Sequence, residues 1–373
     1  MHTAVTRTDR DRPELRAAIE EMVESGFTGV TLRVNDERGE WVGSAGVGRR
    51  DSPAKPPENG HVRIGSNTKT FTATVVLRLV AEGAVGLDTP VADHLPGFGL
   101  DPGITVRMLL QHTSGVFNFT GEYYEDGTFA PGIPATTAGR EWVDNRFRTY
   151  RPEELVRLAL SKPARFAPGT DWNYSNTNYV LARLLVEKVT GRPFAEEMRR
   201  LVLGPLGLSD TLLPETGPEI PEPHARAYYR YEDGGRQTTV DVTRQNPSWI
   251  STGGDMISTT RDLHTFISAL AGGRLLPAPL LAEMCRPHPK AGYGLGVFVQ
   301  QAGDDGATVI THNGGMAGHA ALMYGTPGGG RTLTAALNYV DDAGLSMAAA
   351  FQKATQRLVT EVFGGGASAS AAG

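Results

Sequence analysis

A serine and a lysine three residues apart open a hydrophobic helical stretch of this 373-residue chain. Ser66 and Lys69 lie in the sequence Ile-Gly-Ser-Asn-Thr-Lys-Thr-Phe, and one helical turn would place them on the same face. From Asn67 to Val80 there is no Gly or Pro, and apolar residues surround most of the axis, so the pattern predicts a buried helix. A lysine buried there must be paired or neutral. The two side chains could therefore act as a nucleophile and its base.

A single Ser-x-x-Lys match is a weak signal, because the pattern occurs by chance about once in a chain of this length. A second copy runs from Ser52 to Lys55. It contains Pro53 and is followed by Pro56 and Pro57, and these prolines prevent a helix. We interpret that copy as a surface turn. The alternative interpretation of Ser66 and Lys69 is a helix cap and a lysine whose stem lies along the surface.

The composition is that of a soluble globular protein, with 40% hydrophobic and 21% charged residues. A net charge of −5 without long runs of like charge predicts small-molecule ligands and no nucleic-acid partner. No stretch approaches the ~18 apolar residues of a membrane span, and the N-terminus lacks a signal-peptide pattern, so we expect a cytoplasmic protein with no membrane partner. The nine histidines show no paired-ligand spacing, so we expect no metal and no cofactor. Cys285 is the single cysteine and is interpreted as structural or incidental.

Strand patterns occur at both ends of the chain, and helical patterns with long loops lie between them. This order predicts an α/β (α+β) fold in which one antiparallel sheet, flanked by the terminal helices, carries an inserted α-rich lobe. The predicted regions are a discontinuous sheet lobe at 1–86 plus 275–363, an α-rich lobe at 87–274 and a disordered tail at 364–373. Helices are predicted at 12–25, 67–80, 105–111, 152–160, 177–189, 193–203, 260–271, 279–285 and 346–363, and strands at 29–34, 40–47, 293–300, 307–311, 320–324 and 331–339.

Two further motifs follow Ser-x-x-Lys along the chain. Tyr174-Ser175-Asn176 comes just before an apolar helix, and His312-Asn313-Gly314 follows a predicted strand. In this order the three motifs resemble those of the class C β-lactamase, D-Ala-D-Ala carboxypeptidase and family VIII esterase group of serine acyl-transfer enzymes. Similar text recurs in ITVRMLLQHTSG, SWISTGGDMISTTRDL and GYGLGV, so the resemblance covers nearly the whole chain. It implies the two-lobed fold described above, with the active site between the lobes.

The resemblance also implies roles for individual residues. Ser66 would be the nucleophile, and Lys69 and Tyr174 would shuttle its proton. We expect burial to lower the pKa of Lys69, and the neighbouring cation to lower the pKa of Tyr174. The backbone N–H groups of Ser66 and Gly315 would form the oxyanion hole, and His312 would stand beside Tyr174 as a donor.

The substrate-binding residues that the resemblance implies are Asn176, Trp249, Phe298, His312, Asn313 and Gly314. Alternative interpretations remain for the motifs: a turn and helix cap at Tyr174 and Asn176, a strand-ending turn after His312, and a core residue at Trp249. His112 could be taken for the histidine of a Ser-His-Asp catalytic triad, but we interpret it as structural.

Carboxypeptidases of the group hold a substrate carboxylate with an arginine after the GYGLG strand and a hydroxyl residue after the third motif. Here Phe298 and Gly315 lie in those regions, so we expect an apolar leaving-group pocket that prefers uncharged esters. The favoured function is serine-dependent acyl transfer on a neutral ester or amide. The protein would be an esterase, or a transacylase with an amine acceptor in secondary-metabolite (antibiotic) biosynthesis. The alternatives are a D-Ala-D-Ala carboxypeptidase, a D-aminopeptidase, a class C β-lactamase, or a catalytically silent binding protein. The sequence makes no prediction of the oligomeric state.

Overall fold

The computed structural model of the protein describes residues 11–133, 138–302 and 307–364. From residue 365 on, the predicted disordered tail lies outside the described residues. The helices are α1 (Pro13–Glu24), α2 (Thr68–Ala81), α3 (Val91–His94), α4 (Val106–Gln111), α5 (Gly139–Asn145), α6 (Pro152–Leu160), α7 (Asn176–Thr190), α8 (Phe194–Met198), α9 (Gly204–Leu206), α10 (Thr260–Ala271), α11 (Ala278–Met284) and α12 (Ala348–Phe363). The strands are β1 (Gly29–Asp36), β2 (Gly39–Gly46), β3 (Val62–Arg63), β4 (Glu122–Tyr123), β5 (Phe129–Ala130), β6 (Tyr228–Asp233), β7 (Arg236–Asp241), β8 (Ile257–Ser258), β9 (Phe298–Ala302), β10 (Ala307–Met316), β11 (His319–Gly325), β12 (Thr332–Asn338) and β13 (Val340–Asp342).

The central sheet has six antiparallel strands in the order β2-β1-β12-β11-β10-β9. Strand β12 lies between β1 and β11, and Ala335 is paired with Leu32 on one side and Leu322 on the other. The first hairpin and the last strands therefore form one sheet. This arrangement confirms the predicted fold class, an antiparallel sheet built from both ends of the chain with helices on its faces.

Alternate residues of the strands face two different cores. In β11, Ala320, Leu322 and Tyr324 pack with α1 and α12 on the outer face of the sheet. Ala321 and Met323 face the opposite side and join the larger core that α2, α7 and α10 build. Because successive strand side chains point to opposite faces, this alternation also decides which residues of β10 can face α2.

Helix α10 packs on the sheet, although the predicted boundary at 274 assigns it to the α-rich lobe. The Thr334 hydroxyl donates to the backbone oxygen of Thr260 at 2.8 Å, and Nδ1 of His264 lies 2.7 Å from Oγ1 of Thr332. The apolar face of α10 packs against both the sheet and α2, and the sequence pattern alone does not show these partners. Helix α10 therefore contacts the sheet across the predicted lobe boundary.

The sequence analysis missed the hairpin of β6 and β7, which lies within the predicted α-rich lobe and pairs with β13. Most of its side chains are at least partly exposed, and Tyr229 is its one buried residue. The alternation of apolar and polar residues that identifies a half-buried strand is therefore weak in this hairpin.

Strand β10 is longer than predicted. The expected strand ended at 311, but β10 continues to Met316 and pairs with β11 as far as the register Met316↔His319. Its pairing with β9 stops at Phe298↔Thr311. The strand-ending turn considered after His312 is not present, and Gly314 instead lets the backbone of β10 approach the Ser66 segment closely.

Helix α2 is buried on nearly every face, as its sequence predicts. The Phe71 ring stacks on the Phe266 ring of α10 with centroids 3.6 Å apart, and both side chains are fully buried. A short 3₁₀ turn, Gly65–Asn67, precedes α2 and carries Ser66. The position of Ser66 therefore depends on how firmly α2 is packed.

We predict that Phe71→Ala lowers the free energy of unfolding by about 3–5 kcal/mol, because it leaves a cavity against Phe266. Urea denaturation measures this change. Phe147→Ala is the matched control, since the Phe147 ring is 42% exposed and its loss should cost less than about 1 kcal/mol. Equal losses in the two variants would contradict the prediction.

Candidate active site

Three side chains from two segments meet at the start of α2. The Nζ atom of Lys69 lies 3.0 Å from Oγ of Ser66, because the two residues are one turn apart. The hydroxyl of Tyr174, which lies just before α7, donates to the same Oγ at 2.8 Å. Ser66 Oγ is therefore held between an amine and a phenol, as the sequence motifs predict.

Lys69 is fully buried and makes two hydrogen bonds besides its contact with Ser66. Its Nζ donates to Oδ1 of Asn176 at 2.7 Å and to the backbone oxygen of Gly253 at 2.5 Å. Nδ2 of Asn176 donates to Oγ1 of Thr120 at 3.2 Å, which turns the amide oxygen toward Lys69. Burial holds the pKa of Lys69 well below its usual value, in the predicted direction. A neutral amine that donates both hydrogens to these oxygens keeps its lone pair for the Ser66 hydroxyl.

The expectation that the pKa of Tyr174 is lowered is wrong. Burial raises the pKa of Tyr174 well above its usual value, and the hydrogen bond to Ser66 opposes this shift only in part. The expected lowering required a cation next to the phenol, but burial favours the neutral form of Lys69. Tyr174 is therefore a neutral phenol that donates to Ser66 Oγ.

His112 supports the backbone around Tyr174. Its ring centroid lies 4.4 Å from that of Tyr174, and its Nδ1 accepts from the N–H of Ser175 at 3.2 Å and from Nδ2 of Asn178 at 3.1 Å. The His112 backbone oxygen accepts from the N–H of Asn173. Burial lowers the pKa of His112 well below its usual value, so the ring is neutral. These contacts agree with a structural role and provide no acid–base partner for Ser66.

Two glycines let β10 approach the Ser66 turn at backbone distance. A Cβ atom on Gly314 would lie 2.1 Å from the backbone oxygen of Ile64 and 2.4 Å from the nitrogen of Ser66. Gly65 has φ +50°, and a Cβ there would lie 2.4 Å from the nitrogen of Gly315. The N–H groups of Ser66 and Gly315 are thereby brought close together at one cleft, which is the arrangement expected of an oxyanion hole.

His312 contacts Tyr293 and not Tyr174, its expected neighbour. Its Nε2 lies 3.2 Å from the Tyr293 hydroxyl, and its Nδ1 lies 2.8 Å from the backbone oxygen of Asn313. Burial lowers the pKa of His312 to about 3, so the ring is neutral. Phe298 packs edge-on against both Tyr293 and His312. Phe298 and His312 thus lie behind the site and do not line the cleft in front of Ser66.

Asn313 faces away from Ser66. Its Nδ2 donates to the Tyr324 hydroxyl at 2.7 Å on the α12 side of the sheet. The reason is the two-residue period of a strand, which places Asn313 on the opposite face from His312 and Gly314. The structure therefore does not bring the Asn313 side chain into the cleft, although the motif implied a substrate-binding role.

The cleft in front of Ser66 lies between the two lobes and is rich in aromatic side chains. Trp249 lines it together with Asn176 and Gly315, as the resemblance implied. The sequence analysis missed other residues that shape the cleft or hold Lys69, among them Trp142, Tyr229, Gly253, Tyr339, Asp341 and Asp342. The SWISTGG segment was recognised as family-like, but nothing in it shows that the carbonyl oxygen of Gly253 binds Lys69.

Within the described ranges 11–133, 138–302 and 307–364, no group of three His, Cys, Asp or Glu side chains could hold a metal ion. No helix in these ranges has the length and apolar content that a membrane crossing requires. Cys285 is half-buried, and burial raises the pKa of its thiol to about 11. It does not line the cleft of Ser66.

A buried Ser–Lys–Tyr cluster between an antiparallel sheet and a helical lobe is an arrangement typical of serine hydrolases. Residues 15–356 match the family model described as Beta-lactamase, and the chain belongs to this family.

Relatives and solved structures agree with this assignment. The chain is 37% identical to a D-stereospecific amidohydrolase from Streptomyces sp., with a TM-score of 0.82 over 95% of this chain and 98% of that one. It is 25% identical to the D-amino acid amidase of Ochrobactrum anthropi, with a TM-score of 0.79 over 94% and 98% of the two chains. It is also 34% identical to the esterase EstB of Burkholderia gladioli over 47% of this chain and 44% of the esterase. The chain spans less than two thirds of the length of the curated relatives that it matches first.

We predict that Gly314→Ala slows the labelling of Ser66 by a fluorophosphonate by at least about 10²-fold, because a methyl group there separates β10 from the Ser66 turn and misplaces the oxyanion donors. A time course of labelling, quenched at intervals and analysed by intact-protein mass spectrometry, measures the rate. Gly330→Ala is the matched control, since a Cβ on Gly330 would meet nothing within 4 Å. Normal labelling of Gly314→Ala would contradict the proposed oxyanion hole.

Proposed function

We propose that this protein cleaves an ester or amide bond through an acyl-enzyme on Ser66. The observation that carries the proposal is the position of Ser66 Oγ, 3.0 Å from Nζ of Lys69 and 2.8 Å from the hydroxyl of Tyr174. A serine hydroxyl needs a base within hydrogen-bond reach to be nucleophilic at neutral pH. Lys69 meets that requirement, because burial lowers its pKa and so favours the unprotonated amine.

In the first step Ser66 Oγ bonds to the substrate carbonyl carbon and its proton moves to Nζ of Lys69. The carbonyl oxygen becomes an oxyanion that accepts from the N–H groups of Ser66 and Gly315. The new ammonium remains bonded to the oxygens of Asn176 and Gly253, which favour the charged form in the transition state.

In the second step the bond from the carbonyl carbon to the leaving oxygen or nitrogen breaks. The hydroxyl of Tyr174 gives its proton to the leaving atom, and the Lys69 ammonium returns a proton to the tyrosine oxygen. Tyr174 suits this role because its raised pKa keeps it protonated until the leaving atom takes the proton. Water, or an amine in a transacylase, then attacks the acyl-enzyme by the reverse sequence.

The comparisons support amide and ester substrates, since the similar proteins include an amidohydrolase, an amidase and an esterase. Recognition of a substrate carboxylate has less support. Of the described residues that line the cleft, none is Lys, Arg or His, whereas Asp341 and Asp342 are acidic. A carboxypeptidase or penicillin-type substrate would bring its own carboxylate into this acidic cleft.

We predict that a fluorophosphonate or a short p-nitrophenyl ester adds one acyl or phosphonyl group to the protein, detected by intact-mass and peptide mass spectrometry at Ser66. Ser66→Ala should abolish the adduct because it removes the nucleophile. Ser52→Ala serves as the control, since it alters the other Ser-x-x-Lys copy, which lies in an irregular segment. An adduct that persists in Ser66→Ala would overturn the proposed function.

We predict that kcat/KM for a p-nitrophenyl ester rises with pH and reaches a plateau through one ionisation of Lys69, at a pKa well below the usual 10.5 of lysine. The sign follows from the active form: the base must be deprotonated, so activity falls as pH falls through the lowered pKa. Lys69→Arg, which stays protonated, should cost at least about 10² in kcat. Lys353→Arg, at an exposed position of α12, is the control. A rising limb that persists in Lys69→Arg would assign the ionisation to another group.

A further inference from the structure

A second cavity lies beside the cleft of Ser66, between α12 and the outer face of the sheet, and we call it the outer pocket. Its volume is about 340 Å³, which is within the size range of small-molecule sites. The Phe27 ring packs against the rings of Tyr339 and Phe351, with centroids 5.9 Å and 6.5 Å apart. The apolar side chains that line the outer pocket include Phe27, Ala320, Tyr339, Leu345, Met347 and Phe351. A preformed cavity with such walls favours an apolar ligand.

The outer pocket is continuous with the cleft in front of Ser66. Four residues line both spaces, namely Gly315, Tyr339, Asp341 and Leu345. Gly315 is also the residue whose N–H belongs to the expected oxyanion hole. A substrate group that extends from the reacting carbonyl past Gly315 would therefore enter the outer pocket.

The absence of a side chain at residue 315 keeps the entrance to the outer pocket open. A Cβ atom on Gly315 would lie 3.8 Å from the Tyr339 hydroxyl and 3.9 Å from Cβ of Ala320. Both of these residues line the outer pocket. A side chain at 315 would therefore point toward the pocket, and a large one would occupy its entrance.

The boundary between the cleft and the outer pocket exposes an apolar side chain. Leu345 lines both spaces and is 68% exposed, although leucine is normally buried. Exposed apolar surface beside a cavity is typical of a ligand-binding groove. No Lys, Arg or His is among the described residues that line the outer pocket, and the carboxyl group of Asp341 lies at the same boundary. These walls favour an uncharged chain over an anionic one.

We propose that the outer pocket binds the acyl chain of the substrate, and that this chain is apolar and uncharged, such as an alkanoyl group. The proposal rests on the proposed function, in which Tyr174 gives its proton to the leaving atom and the leaving group therefore lies beside Tyr174. Tyr174 does not line the outer pocket, which is why we assign the pocket to the acyl part of the substrate. The expected preference for uncharged esters is kept, but the apolar pocket is assigned to the acyl side instead of the leaving-group side.

The test compares p-nitrophenyl acetate with p-nitrophenyl hexanoate, which differ only in the length of the acyl chain. We expect kcat/KM of the wild-type protein to be at least about tenfold higher for the hexanoate, because the additional methylene groups are buried in the outer pocket. Ala348→Phe places a ring in this pocket from an exposed position on α12, and should lower the hexanoate-to-acetate ratio at least about fivefold. The ratio is measured within one variant, so it does not depend on the fraction of folded protein.

Ala349→Phe is the matched control, because Ala349 is the next residue of α12, is also exposed and does not line the outer pocket. It should keep the wild-type ratio. Leu345→Asn is a second variant, which removes the apolar side chain at the boundary and places there a residue that tolerates the left-handed backbone at φ +50°. It should lower the ratio at least about threefold.

Equal kcat/KM for the two esters in wild type, or a wild-type ratio in both Ala348→Phe and Leu345→Asn, would overturn the proposal. Turnover of the acetate through Ser66 would then leave the proposed function intact. If neither ester acylates Ser66, both proposals fall. A preference for hexyl propanoate over methyl propanoate that Ala348→Phe removes would place the apolar chain on the leaving group and overturn its assignment to the acyl part.

Discussion

The candidate site depends on one buried amine. Lys69 is held by the amide oxygen of Asn176 and the backbone oxygen of Gly253, so α2, α7 and the 3₁₀ turn at Ser251–Gly253 all meet at its Nζ atom. Burial favours the neutral form, which makes the amine a base at the pH where a free lysine is a cation. Because the pKa of this amine is lower in the folded chain than in the unfolded chain, the arrangement lowers stability at neutral pH, and the surrounding core must offset it.

The same burial separates the roles of two groups that the sequence motifs leave equivalent. Lys69 and Tyr174 both contact Ser66 Oγ, but desolvation moves their pKa values in opposite directions relative to their ordinary values. A neutral amine and a neutral phenol are therefore the resting forms, one able to take a proton and the other able to give one. The aromatic environment behind them, which includes His112 and Tyr293, excludes water and maintains this difference.

The N-terminal and C-terminal parts of the chain meet at the site with their backbones in direct contact. Strand β10 comes from the C-terminal part and the Ser66 turn from the N-terminal part, and only glycine at 65 and 314 permits their approach. The helical lobe adds Tyr174 and Asn176, while the hairpin of β6 and β7 supplies Tyr229 to the cleft wall. The site therefore forms only when all these segments are packed together, which is why a single motif is a weak signal of it.

The sequence by itself determined that Ser66 and Lys69 lie on one face of a helix. It also determined the order of the three motifs, which indicates the family and its fold. Helical spacing fixes the first pair, since residues three apart share a face. Only the tertiary structure decided which carbonyl binds Lys69, that His312 contacts Tyr293, and that Tyr229 and Asp341 line the cleft. These contacts join positions far apart in the chain, and the pKa of a buried group depends on the atoms that exclude water from it. The spacing of residues along the chain carries no information on these long-range contacts or on these pKa values.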